Sequence, residues 1–324
     1  MPRSYLDFEE PLRELDRRRD AAAIAGDEMQ VEALDREIAS VARAISAGLG
    51  AWQRIALARH PDRPTAIEAF RVLCTDFVEL RGDRCFGDDP AVVAGLARRN
   101  GRPLAVVGHQ RGRDPGDRVR RNFGMARPEG FRKARRVFDL AGRMGLPILT
   151  LVDTQGAWPG TESEERGIAE SISGCLAALA GAPVPVVAAL LGEGGSGGAL
   201  AFAVADRLLA LENGCLSVIT PEGCASILDR KRTPEGVARA AESLRMGASD
   251  LLRLGVVDVV VPEPEGGAHR DPDAAVQALG REIDRAFADL SEISPAALRS
   301  LRDERLRRLG RSELAVLVEP EQVC

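Results

Sequence analysis

The chain has 324 residues, of which 45% are hydrophobic, 29% charged and only 4% aromatic, and its formal net charge is −5. This ordinary globular composition excludes a disordered chain, gives no global reason to expect a nucleic-acid partner, and leaves the core to Ala, Leu, Val and Ile. No stretch approaches ~18 uninterrupted apolar residues and the acidic, helical N-terminus lacks an apolar signal core, so a cytoplasmic protein with no membrane span is expected.

In chain order, residues 1–64 read as a helical hairpin with its linker, and 65–324 as a second domain. Over 6–47 the residues Val31, Leu34, Ile38, Val41 and Ile45 recur at spacings of three and four, Gly26-Asp27 splits the run into two helices, and Gly48 and Gly50 end it. A hairpin with so little core cannot bury its stripe alone, which predicts packing on the next domain or on another chain. After Pro61 and Pro64 a helix is expected over 65–80. Strands over 92–97 and 104–108 then flank an Asn100-Gly101 turn. Helices at 128–143, 164–180 and 199–205 alternate with strands at 148–152, 184–191 and 208–211. A strand at 216–219 leads into a helix opening at Pro221, 256–261 is a further buried strand, and helices over 273–309 close the chain. Strands separated by helices imply crossover units and a mainly parallel sheet, hence an α/β fold.

Cysteine and histidine usage narrows the chemistry. Cys74, Cys85, Cys175, Cys215, Cys224 and Cys324 form no C-x-x-C pair and read as reduced residues of apolar runs. His60, His109 and His269 lack metal-ligand spacing, so no metal is expected, and His60 and His109 are assigned structural roles.

The most informative stretch is Gly192-Glu193-Gly194-Gly195-Ser196-Gly197-Gly198-Ala199, at a strand-to-helix junction. With no Cβ in the way, its N–H groups can face a ligand at a helix N-terminus, where unpaired donors and the helix dipole favour a negative oxygen. Gly192, Gly194 and Gly197 also satisfy G-x-G-x-x-G, with Glu212 roughly where a ribose-binding acid would stand. Phosphate, oxyanion and mere close packing all fit this stretch taken alone. A second glycine turn, Asp153-Thr154-Gln155-Gly156-Ala157-Trp158-Pro159-Gly160, follows the 148–152 strand. Successive crossovers would put both turns on one edge of the sheet, where parallel sheets place ligands, with Trp158 as a flat wall for a ring-shaped substrate.

These turns occur with other long motifs: Leu6-Asp7-Phe8-Glu9, Leu57-Ala58-Arg59-His60-Pro61, Gly108-His109-Gln110-Arg111-Gly112-Arg113, Arg121-Asn122-Phe123-Gly124-Met125 with Pro128-Glu129-Gly130, SVITPEGCASIL at 217–228 and EPEGGAHRDP at 263–272. Together they resemble the carboxyltransferase alpha-subunit family of bacterial acetyl-CoA carboxylase, over residues 6 to 309. A dinucleotide fold accounts for only one of them and is set aside.

The resemblance implies a crotonase-like ββα superhelix with an N-terminal helical hairpin and C-terminal helices. It implies a separate beta subunit carrying a zinc ribbon, an alpha2beta2 heterotetramer, a biotin carboxyl carrier protein, and biotin carboxylase in the full complex. The implied reaction moves a carboxyl group from carboxybiotin on the carrier to acetyl-CoA, giving malonyl-CoA for fatty acid synthesis. By motif position the catalytic ureido-oxygen hole falls on Gly197, Gly198 and Ala199, with Gly194 and Gly195 shaping the approach and Gly156, Ala157 and Trp158 on the biotin side. The family usually has proline where Gln155 stands, tyrosine where Trp158 stands, and Trp-Lys within 229–232; acyl groups longer than acetyl remain open. The basic run Arg111, Arg113, Arg118, Arg120, Arg121, Arg132, Lys133, Arg135, Arg136 reads either as a solvated face or as a patch for coenzyme A phosphates. A non-catalytic homologue and a stand-alone hydratase or isomerase are the other classes considered, and the latter lacks a pair of acids in a glycine-turn context.

Overall fold

Strands in the centre of this chain are aliphatic on both faces, as a sheet covered by helices on both sides requires. The computed structural model describes residues 3–228 and 233–310; the 229–232 departure and Cys324 lie outside them. Helices α1 (Glu10–Ala25), α2 (Glu28–Gly48), α3 (Ala51–Ala58) and α4 (Ala66–Leu73) precede strands β1 (Thr75–Glu79), β2 (Val92–Arg99) and β3 (Arg102–His109). Then come α5 (Pro115–Arg120), α6 (Pro128–Met144), β4 (Ile148–Thr154), α7 (Thr161–Glu165), α8 (Ile168–Ala180), β5 (Val186–Gly195) and α9 (Ser196–Ala203). The remainder is β6 (Arg207–Leu211), β7 (Cys215–Ser217), α10 (Pro221–Leu228), α11 (Pro234–Leu244), α12 (Ala248–Arg253), β8 (Val259–Val261), α13 (Pro272–Leu290) and α14 (Pro295–Arg308).

The strands form one sheet in the order β1-β2-β3-β4-β5-β6-β8, with β7 paired to β5. β1, β2 and β3 are antiparallel, and every pairing from β3 onward is parallel. The crossovers from β3 through β4 and β5 to β6 therefore each step one strand further in the same direction. β5 is long enough to hold two successive neighbours: β6 beside Val187 to Leu190, and β7 beside Glu193, Gly194 and Gly195.

Side-chain alternation divides the core into two layers. Ile148 and Val152 of β4 and Val186, Ala188 and Leu190 of β5 pack with Phe131, Val137 and Phe138 of α6, Cys175 and Leu179 of α8 and Phe202 of α9. Leu149, Leu151, Val187, Ala189 and Leu191 point the other way, onto Phe70 of α4 and Val276, Leu279 and Ile283 of α13.

Three expectations are revised. Residues 75–79 are strand rather than helix, because the distant Gly95 leaves room for Phe77 and β1 pairs with β2 there. Gly167 at φ 78 breaks the 164–180 helix into α7 and α8. The glycine stretch is strand as far as Gly195, since it pairs with β7 and, through Gly194, with Thr154 of β4. The hairpin of α1 and α2 buries Leu15, Ala22 and Leu34 between its helices but leaves Val31, Ile38, Val41 and Ile45 only partly buried, and, as expected of a stripe it cannot bury alone, it packs on the body at its base. There Glu9 Oε1 lies 2.8 Å from His269 Nε2, the His60 and His269 rings are tilted against each other with centroids 4.1 Å apart, and Arg270 Nη2 donates to both carboxylate oxygens of Asp16.

Buried arginines join the layers. Arg302 of α14 donates to both oxygens of Asp206 and to the carbonyls of Leu179, Ala182 and Val184, closing the end of α8. Arg63 donates to the Leu191 carbonyl on β5 and to Glu263, which also accepts from Asn213 and Ala268. Burial alone would raise the Glu263 carboxyl, but Arg63 and these donors more than offset it and bring it down to about 2. A depressed carboxyl contributes stability that is fully present above its unfolded value near 4.5 and is lost as the pH falls towards 2, here on the order of 3 kcal/mol. Glu263→Gln is expected to cost about 3 to 5 kcal/mol at pH 7 by leaving Arg63 buried without a counter-charge. Urea unfolding at pH 7 and pH 3 checks this, since the variant should also lose this group's share of the acid sensitivity.

Candidate active site

β4 and β5 are parallel neighbours, so the turns that follow them meet at one edge of the sheet. Their contact is backbone against backbone. A Cβ on Gly195 would run into the Gln155 carbonyl, and one on Gly198 would lie 2.5 Å from the Gly156 carbonyl carbon and 2.6 Å from the Ala157 nitrogen. Gly194 is closed in by Leu216 and the Cys215 carbonyl of β7. Gly197 is different: a Cβ there meets only Ile172, at 3.6 Å.

The first turn is fixed from within. Thr154 Oγ1 accepts from the Gly156 N–H at 3.1 Å and donates to the Gly156 carbonyl at 2.7 Å, holding Gly156 at φ 153, a backbone conformation that favours glycine. Trp158 donates its backbone N–H to the Ala126 carbonyl and its indole N–H to Glu162, while the Arg127 guanidinium lies 5.4 Å from its ring centre. Gln155 turns its side chain to solvent. In the second turn Ser196 opens α9 at φ 53 and is exposed, Gly197 is half-buried, and Gly198 and Ala199 are buried. No side chain caps α9, whose N-cap is Gly195, so its first-turn amides have neither an intrahelical acceptor nor a capping oxygen. The structure thus brings together all eight residues singled out from sequence: Gly156, Ala157 and Trp158 in one turn, and Gly194, Gly195, Gly197, Gly198 and Ala199 in the other.

Titratable groups around the turns are committed elsewhere. Arg59 donates from Nε and Nη2 to the two oxygens of Glu193 at 2.8 and 2.7 Å, and from Nη1 to Glu222 of α10 at 2.6 Å. The one carboxylate in the glycine stretch is therefore a bidentate ion-pair partner. Burial pushes the Asp153 carboxyl up to about 6 against the pull of Arg111, whose Nε is 2.7 Å from its Oδ2. His109 is buried under α9, stacked on Phe202 with centroids 4.2 Å apart, and burial drives its imidazole down to about 3, which keeps it neutral. Sequence reasoning missed the Arg59 clamp and the Arg111–Asp153 pair; the charged residues inside otherwise apolar or glycine-rich runs were the available signal. The basic run is mostly structural: Arg111 holds Asp153, Arg113 holds Glu68, Arg132 holds Asp83, Lys133 holds Asp88, and Arg136 donates to the carbonyls of residues 80–82.

Comparison with known proteins gives this geometry its family. The sequence profile described as "Acetyl co-enzyme A carboxylase carboxyltransferase-like" matches residues 5–310. The acetyl-coenzyme A carboxylase carboxyl transferase subunit alpha of Rubrobacter xylanophilus is 50% identical over 313 residues, covering 94% of this chain and 96% of the relative. The chain belongs to this carboxyltransferase family. A counterpart from Thermus thermophilus is 48% identical, covering 94% of this chain and 98% of its own. Among solved structures, a Pseudomonas malonate decarboxylase hetero-tetramer in complex with coenzyme A superposes with a TM-score of 0.58 at 20% identity, over 75% of this chain and 97% of the other. Transcarboxylase 12S gives 0.57 at 22% identity, over 69% and 41%. These two establish the fold, the crotonase-like one that the resemblance implied. The carboxyltransferase-family chain is an enzyme subunit of the transferase class.

The steric difference between neighbouring glycines is directly testable. Gly198→Val must push the two turns apart and is expected to cost about 1 to 3 kcal/mol or more, whereas Gly197→Val should stay within about 1 kcal/mol. Thermal melts of the two variants check the contrast.

Proposed function

We propose that this chain is the carboxybiotin half of a split carboxyltransferase site, in which the amides of Gly197, Gly198 and Ala199 hold the ureido oxygen. Gly194 and Gly195 shape the approach, and Gly156, Ala157 and Trp158 line the biotin side. The observation that carries this reading is the uncapped N-terminus of α9, with the nearby acids and histidine already engaged or buried. Among the described residues, the site has donors for a developing negative charge, while Glu193, Asp153 and His109 are buried beneath it.

The chemistry needs no more from this chain. Breaking the C–N bond of carboxybiotin releases CO2 and leaves negative charge on the ureido group, which preorganised amides stabilise. The ureido nitrogen then takes a proton from the acetyl methyl of acetyl-CoA, and the resulting enolate attacks CO2 to give malonyl-CoA. The thioester oxygen requires a second hole, which we assign to a zinc-ribbon beta subunit in an alpha2beta2 assembly. Exposed apolar side chains adjoin the turns where such a partner would sit: Leu200 on α9, Val218 beyond β7, and Ile227 and Leu228 on α10. The biotin carboxyl carrier protein and biotin carboxylase complete the pathway, in the cytoplasm. Residues 1–64 serve as the hairpin and linker unit, and 65–324 as the carboxyltransferase domain.

Reconstitution tests the split site. The purified chain alone should turn over no malonyl-CoA and should gain activity on titration with the beta subunit; robust activity in the isolated chain would overturn the reading. In the assembled complex, Gly197→Val should lower turnover by a factor of ~100, equivalent to roughly 3 kcal/mol of transition-state stabilisation, while coenzyme A affinity stays within about twofold. Normal transfer by that variant would reduce the glycines to packing residues.

A further inference from the structure

Three consecutive residues beside the site, Asn122, Phe123 and Gly124, have left-handed backbone, at φ 46, 55 and 81. Gly124 is suited to it, because a Cβ there would lie 2.9 Å from both the Asp153 carbonyl oxygen and Arg111 Cγ. Phe123 is not: the left-handed region is costly for a bulky side chain, and burial does not compensate, since the ring is 47% exposed. Asn122 is 8% exposed, yet its Nδ2 has no hydrogen-bond partner among the described residues. An exposed aromatic on strained backbone next to an unsatisfied buried amide is a combination that stability alone does not explain.

The loop is held against the biotin-side turn from both ends. Upstream, Arg121 donates to the Pro90 carbonyl at 2.7 Å and to Asp117 at 2.8 Å. In the middle, Gly124 packs on the Asp153 backbone at the carboxyl end of β4, and downstream the Ala126 carbonyl accepts the Trp158 N–H at 2.9 Å. Phe123 is therefore an exposed ring anchored one residue from the strand end that launches the 154–160 turn.

We propose that Phe123 is a substrate-contact residue that covers the bicyclic ring of the carboxyl donor. Trp158 and Phe123 then bound the ring site from two separate loops, which defines a subsite for a flat, ureido-containing ring. This rests on the reading of the site as the carboxybiotin half.

The test uses the assembled complex run in reverse, with free biotin accepting the carboxyl group of malonyl-CoA. Phe123→Gly removes the ring and suits the backbone, so its melting temperature should match or exceed that of the parent. Its KM for biotin should rise by about tenfold with KM for malonyl-CoA within about twofold, and Phe123→Tyr should restore the parent value. An unchanged KM for biotin in Phe123→Gly overturns the proposal, and so does a defect that disappears once the beta subunit is saturating, which would make Phe123 a subunit contact. Gly197→Val separates the two levels. If it leaves transfer intact, the carboxybiotin reading itself fails; if it stops transfer while Phe123→Gly does nothing, only the Phe123 assignment falls.

Discussion

The approach of two backbones without intervening side chains is the constraint on which the rest depends. The Gln155 carbonyl against Gly195, and Gly156 with Ala157 against Gly198, leave no room for a Cβ on the β5 side. Once this contact is made, the uncapped N-terminus of α9 lies beside the 154–160 turn at the carboxyl edge of the sheet. The long β5 holds the geometry from the other side, because β7 pairs with the glycine segment itself. Buried charge then fixes the surroundings: Arg59 ties α3, Glu193 and α10 together, and Arg63 and Arg302 secure the layers behind and beside the sheet.

This arrangement explains how the carboxyl edge of the sheet can contain ionisable residues that no ligand reaches: Glu193, Asp153 and His109 are all buried. An acid or base is useful when the reacting group comes within hydrogen-bond reach of it. Glu193 is held bidentate by Arg59, Asp153 is paired with Arg111, and His109 is stacked under α9 in its neutral form. What is left without a partner is the first turn of α9, whose amides have neither an intrahelical acceptor nor a capping side chain.

The alternation of strand and helix was legible because β4 and β5 are long, aliphatic on both faces and bounded by glycine or proline. The meeting of the two glycine turns was also legible, because each follows one of two successive parallel strands. Strand β1 was not, since 75–79 continue a helical pattern locally and become strand only by pairing with β2 past Gly95. The strand character of Gly192 to Gly195 was hidden for a similar reason: glycine has low intrinsic strand preference, and the pairing comes from β7 and Thr154. Arg63, Arg302 and Arg59 carry no local sign of their buried pairing, because their partners Glu263, Asp206 and Glu193 stand far away in sequence.

The contact between positions 155 and 195 is chemically one-sided. Residue 155 presents only its carbonyl to the partner turn and sends its side chain into solvent, whereas residue 195 must present a bare α-carbon. Mutational freedom across this single contact is therefore unequal: position 155 can drift through many side chains, as its glutamine illustrates, while position 195 is locked. In a saturation library of both turns, variants that keep the fold should be diverse at 155 and collapse to glycine at 195.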